Sequence, residues 1–147
     1  MDRILVMQLE DGYWMVHLES KTSGWKFPTL DEALDSAMAT ASFTPEGDIK
    51  EILLEDTTGK WQSFWSNPSQ KDIKTICERL NLITTFIELN AFSSIKLLND
   101  NLRKISSSNE IDVILDLLDR TSYREAQNKI IAFRNKVSPR PTATMFE

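Results

Sequence analysis

The chain has little of what catalytic and metal-binding sites are usually made from. Its 147 residues include one Cys (Cys77) and one His (His17). A lone thiol excludes an intrachain disulfide framework, and one thiol with one imidazole falls short of the usual Cys/His set of a structural zinc site. Four Gly and five Pro are too few for collagen-like or low-complexity chains. Gly12, Gly24, Gly47 and Gly59 are scattered, each fits a turn, and no Gly-rich phosphate loop exists. No apolar run approaches the roughly 18 residues of a membrane-spanning helix. The segment Met1 to Val6 has an acid where a signal peptide has bases, and its apolar run gives out at Gln8 and Glu10. It reads as a strand rather than a signal peptide, and with the lone thiol this points to the cytoplasm.

What is present is the material of a folded domain: 41% hydrophobic and 27% charged residues, with a formal net charge of −5. The charge is uneven. Residues 1–66 hold 12 acids and 5 bases, residues 67–119 hold 8 and 6, and residues 120–147 hold 2 and 6. An acidic head and a basic tail either attract each other, within the fold or between copies, or the tail touches nucleic acid.

The first third reads as an antiparallel ββαββ sheet with one helix. Arg3–Glu10 and Tyr13–Glu19 are strands, and Asp11-Gly12 between them is a hairpin signal. Ser20 to Pro28 reads as a polar loop. Thr29 and Glu32 form a capping box ahead of a helix whose apolar positions are Leu30, Ala33, Leu34, Ala37, Met38 and Ala41, ended by Pro45-Glu46-Gly47. Ile49–Asp56 and Trp61–Trp65 are two more strands around the turn Thr57 to Lys60. The remainder predicts helices only. Ser69 is the expected N-cap of a stripe from Ile73 to Ile105 at steps of 3 or 4, one helix or two, with a break at Asn81 or between Asn90 and Ser94. Asn109 caps a helix with Ile111, Ile114, Leu115 and Leu118. Ser122 and Glu125 form a second box ahead of Tyr123, Ala126, Ile130, Phe133 and Val137. The class is therefore α+β: a ββαββ lobe at 1–66, an all-α helical lobe at 67–141, and a flexible tail at 142–147.

Strand alternation gives the main functional expectation. Leu5, Met7 and Leu9 oppose Ile4 and Val6, while Tyr13, Met15 and His17 oppose Trp14, Val16 and Leu18. Both faces carry large apolar groups, and one helix covers only one. The second needs the C-terminal helices, a second copy or a partner. All four Trp lie in the first 66 residues, and aromatics are favoured at interfaces. The expected partner-binding residues are Tyr13, Met15, Trp25, Trp61 and Trp65.

Catalytic signals are weak. His17 sits mid-strand, and Cys77 falls on the apolar stripe of a helix, where a thiol is usually packed rather than reactive. Asp31 with Asp35, and Glu51 with Glu55 and Asp56, are carboxylate pairs with no sign of convergence, so no metal or cofactor is expected. The basic residues Arg120, Arg124, Lys129, Arg134 and Lys136 are the candidate nucleic-acid contacts, but their spacing wraps the polar half of the last helix. A helix-turn-helix across Asp119 to Tyr123 would make that helix the recognition helix.

Residues 9–41 resemble the core of HicB-type antitoxins and related small domains, through Asp11-Gly12-Tyr13-Trp14 leading to Val16, then Gly24, Phe27, Thr29, Glu32-Ala33-Leu34 and Ala37. The resemblance implies a β-rich lobe that neutralises a small protein and a C-terminal segment that binds DNA. The expectation is a non-enzymatic interaction or regulatory protein acting through its aromatic, acidic β-lobe on a protein partner, with a homodimer as one form. A nucleic-acid-binding regulator is the alternative, and no membrane role is expected.

Overall fold

The computed structural model describes residues 2–43, 48–67, 71–106 and 108–137. Its elements are β1 (Asp2–Gln8), β2 (Trp14–Leu18), β3 (Trp25–Phe27), α1 (Leu30–Phe43), β4 (Ile49–Glu55), β5 (Trp61–Ser66), α2 (Ile73–Glu88), α3 (Phe92–Ile105), α4 (Asn109–Asp119) and α5 (Tyr123–Val137). The fold is α+β, and no helix among the described residues is long and apolar enough to cross a membrane.

The sheet has five strands in the order β3-β2-β1-β4-β5, and it is mixed rather than antiparallel. β1 and β2 form the Asp11-Gly12 hairpin, with Gly12 at φ +89°. The expected loop after β2 contains a third strand: Trp25–Phe27 pairs with Val16–Trp14. Three residues are too short to show alternation, so only the pairing reveals β3. It runs parallel to β1. α1 then carries the chain over the sheet and β4 joins β1 in parallel, Ile4 beside Ile52 and Val6 beside Leu54. A crossover of helix length returns the chain to the end where it started, which forces the parallel sense. Gly24 is fixed by proximity, since a Cβ there would lie 2.1 Å from the Val16 carbonyl oxygen and 2.6 Å from the His17 Cβ.

Local chemistry sets several helix ends, although α4 has Ser108 rather than the expected Asn109 as its N-cap, with no side-chain cap bond. Thr29 Oγ1 accepts from the Glu32 N–H at 3.2 Å and donates to the Glu32 carboxylate at 3.0 Å, so the predicted box forms through the hydroxyl. The residues expected to end α1, Pro45 to Gly47, lie outside the described residues, as do Ser69 and the 142–147 tail. α2 is capped by Asp72, whose carboxylate accepts from the Thr75 N–H. The long stripe is two helices. Asn90, at φ 56°, ends α2, with its N–H on the Ile87 carbonyl and the Ala91 N–H on that of Phe86. This is a Schellman closure, with Asn in the left-handed position. The same pattern recurs at Thr121 (φ 59°), where Thr121 and Ser122 donate to Leu118 and Leu117.

One continuous apolar core runs from Ile4 in β1 to Phe133 in α5. α1 lies on β1 to β4, and its acidic first turn also serves α3: Asp31 accepts from the Ser94 N–H at 3.0 Å and its hydroxyl at 2.6 Å. α2 packs along β5. Glu78 accepts the Ser63 N–H at 2.7 Å, and Phe86 meets Phe64 edge-on at 6.1 Å between centroids. α3 and α4 are clamped by buried Asn99. Its amide donates to the Leu115 carbonyl (3.0 Å) and to Asp119 (3.1 Å), while its oxygen accepts from Arg103. Arg103 in turn reaches Asp116 and Asp119.

Candidate interaction surface

The pairing register sorts the strand residues onto two faces. Ile4, Val6, Trp14, Val16, Ile52 and Leu54 share the face under α1, and each is at most 6% exposed. The alternate residues Leu5, Met7, Met15, His17 and Leu53 share the other, and all are only half-buried. Leu5 lies between His17 and Leu53, and Met7 beside Met15, so the apolar side chains form one band across three strands. Trp61, 40% exposed, extends it on β5 opposite Glu55, and Tyr13, 45% exposed, stands just before β2. Among the described residues the helix in contact with β1 and β2 is α1, on the opposite face. At the β5 end, Ser63 and Ser66, opposite Leu53 and Glu51, are buried against Arg79 of α2.

The margins of the band are charged. Arg3 bridges Glu19 at 3.3 Å and Glu51 at 3.4 Å, one cation between two acids. Lys26 pairs with Asp11 at 2.8 Å, and its Nζ stands 5.1 Å from the Tyr13 ring centroid. The Lys26 hydrogen bond, followed by the Tyr13 N–H, holds the Asp11 carboxyl below the usual carboxylate range. Glu10 and Glu55 have no ion pair among the described residues. The face is therefore apolar at its centre and weakly acidic at its edge.

The expected partner-binding residues divide between the two faces. Tyr13, Met15 and Trp61 stand on the open face. Trp25 pairs with Val16, and Trp65 with Ile52, which puts both on the helix-bearing side. Trp25 is exposed there because β3 is an edge strand, whereas Trp65 packs partly against the core. A register shift between Ile52 and Leu53 breaks the alternation of β5, and Gln62, Ser63 and Phe64 are all buried in a row. Leu5, Met7 and Leu53 complete the band. Their strand parity is readable in the sequence, but their adjacency depends on the β1–β4 pairing.

The basic residues of the C-terminal hairpin do not share one surface. Lys136 pairs with Glu110 at 2.7 Å. That contact joins the end of α5 to the start of α4, so the two helices fold back antiparallel rather than splaying as a helix-turn-helix does. Arg134 turns into a cleft with Asp56, Lys60, Asn81 and Glu88. Arg120, Arg124 and Lys129 are exposed.

The remaining candidates for chemistry sit apart. The His17 Nδ1 lies 2.9 and 3.0 Å from the Leu18 and Lys21 carbonyl oxygens, which makes it a donor to backbone. Cys77 is half-buried, and burial raises its pKa, which disfavours the thiolate. Burial pushes the Asp56 carboxyl up, but bonds from the Thr58 hydroxyl, Gln62, and the Lys60 and Thr58 N–H groups outweigh it and hold the pKa low. Asp56 thus organises its turn, Glu51 answers Arg3, and no cluster of three metal-ligating residues occurs among the described residues.

No protein-family model matches this chain, and no significant match exists among curated proteins or solved structures.

Proposed function

We propose that this is a non-enzymatic regulatory protein, of inhibitor or antitoxin type, that docks a protein partner on the open face of its sheet. The supporting observation is the band of Leu5, Met7, Met15 and Leu53, half-buried, with exposed Tyr13 and Trp61 at its ends, on the face opposite α1. Exposed Trp and Tyr beside an apolar patch are of the residue types enriched among interface anchors. The fitting partner is apolar at its centre and basic at its rim, because residues 1–66 hold 12 acids against 5 bases. The resemblance of residues 9–41 to HicB-type antitoxins supports the same reading, and the lone thiol supports a cytoplasmic setting.

The test is cross-linking in native extract with the parent chain and the Leu53→Glu, Met15→Glu and Ile131→Glu variants, the last on exposed α5 surface. The expected result is a defined partner lost in the first two, retained in the third, and weakened by salt. A partner bound equally by all four chains would overturn the reading. So would a salt-resistant homodimer that Leu53→Glu converts to monomer. Salt-sensitive binding of mixed DNA, abolished by joint Arg124→Gln and Lys129→Gln changes and untouched by Leu53→Glu, would replace it with a nucleic-acid regulator.

A further inference from the structure

On the helix-bearing side, a cleft of about 240 Å³ opens between α1, β5 and α3. Met38, Trp65 and Leu97 form its apolar walls, and Asn101, Lys104 and Asp100 its polar end. Behind Asn101 lies Arg79, which has no exposed surface. Among the described residues its guanidinium donates to neutral oxygens alone: Ser66 Oγ at 3.0 Å, Ser63 Oγ at 3.4 Å and Asn101 Oδ1. Its Nε has no hydrogen-bond partner among the described residues. The carboxylates around it are engaged elsewhere, Glu78 with Lys74 and the Ser63 N–H, and Glu51 with Arg3. A buried cation without a counter-ion is costly. Burial lowers the Arg79 pKa, and the fields of Glu51, Glu78 and Asp72 raise it only in part.

This arrangement fixes the character of the polar end. Arg79 has donors only, so Asn101 must turn its carbonyl oxygen toward it and keep its NH₂ as a donor. Asn101 and Lys104 thus offer donors, with the Arg79 charge behind them. Asp100, exposed at the rim, is the one acid. We propose that this cleft binds a small amphipathic carboxylate, an aromatic or branched aliphatic acid, with its apolar body against Met38, Trp65 and Leu97 and its carboxylate at Asn101 and Lys104. The space suffices for a ring with a short acid arm, since a cavity of ~150 Å³ already holds benzene.

The test is titration of the full chain with 3-phenylpropionate, 4-methylpentanoate and 3-phenylpropionamide, followed by amide and indole NMR shifts. Both acids are expected to bind saturably and to move the Asn101 side-chain and Trp65 indole signals. The amide is expected to bind about tenfold or more weakly, and Lys104→Gln to weaken the acids by about tenfold. Met38→Trp, which fills the apolar wall, is expected to abolish binding without loss of the native spectrum. Equal binding of acid and amide would overturn the proposal. So would undiminished binding to a folded Met38→Trp variant, or no movement of the Asn101 and Trp65 signals with any acid at roughly 10 mM, a concentration at which even a millimolar ligand nears saturation.

Discussion

Ile52 and Leu53 are neighbours in β4 with side chains of equal size, and they face opposite ways. Ile52 is 0% exposed on the helix-bearing face, while Leu53 is half-buried on the open one. The comparison extends along the sheet, with Val6 against Met7 and Val16 against Met15. Both faces have the apolar side chains a helix layer would need, but α1 lies across β1 to β4 on only one of them. The tertiary contacts give the reason. α1 crosses β2 and β1 on one side, and Asp31 holds the first turn of α3 next to it. α2 runs along β5, where Glu78 answers an N–H of the edge strand. The helical half therefore grows outward from the α1 side and the β5 edge, and it reaches the other side of the sheet at Ser63 and Ser66, which Arg79 of α2 buries.

Paired truncation in β4 gives the largest expected effect. Ile52→Ala should destabilise the fold by about 2–5 kcal/mol, the range for buried Ile or Leu, whereas Leu53→Ala should cost under about 1 kcal/mol because the side chain already meets water. Urea unfolding of the two variants measures the difference, and equal losses would mean that the second face is covered in solution. Next is the tie that holds α3 on its side. Asp31→Ala removes the acceptor of both the Ser94 N–H and its hydroxyl, and should cost about 1–2 kcal/mol, read in the same way. Thr121→Gly acts in the opposite sense. A β-branched residue is strained at φ 59°, so the change should stabilise by about 0.5–1 kcal/mol and raise the melting temperature. It lies far from both sheet faces and should leave any partner affinity unchanged, which makes it a control for stability alone.

The smallest effect concerns pH. Asp56 has a folded pKa below its unfolded value, so its contribution is fully present above the unfolded value near 4 and is lost as pH falls through the folded one. Unfolding midpoints at pH 5.5 and pH 3 should converge slightly in Asp56→Asn relative to the parent. A wider gap in the variant would contradict the hydrogen-bonded turn.

Much of this was legible in the residues. Leu30, Ala33, Leu34 and Ala37 recur at helical spacing, and all four are buried. The break in the long apolar stripe falls at Asn90, one of the few residue types that accept the left-handed conformation. The candidate interaction surface was half legible. Tyr13, Met15 and Trp61 follow from strand parity, which is a local property. Trp25 and Trp65 do not, because one depends on a three-residue strand that shows no period and the other on a register shift. Arg79 gave no signal, since an Arg at a helical position normally reads as solvated, and only the meeting of α2, β5 and α3 buries it.

The sequence by itself determined the local elements: which segments alternate with a period of two, which recur at 3.6, where Asp11-Gly12 turns the chain and where Thr29 starts a helix. These depend on backbone sterics and on hydrogen bonds a few residues long. Only the tertiary structure decided that β4 lies parallel to β1, that Leu5 meets Leu53, that Arg79 is enclosed without a direct ion pair among the described residues, and which sheet face α1 covers. Those outcomes depend on contacts between residues dozens of positions apart, and no local pattern encodes on which side of a sheet a distant helix will settle.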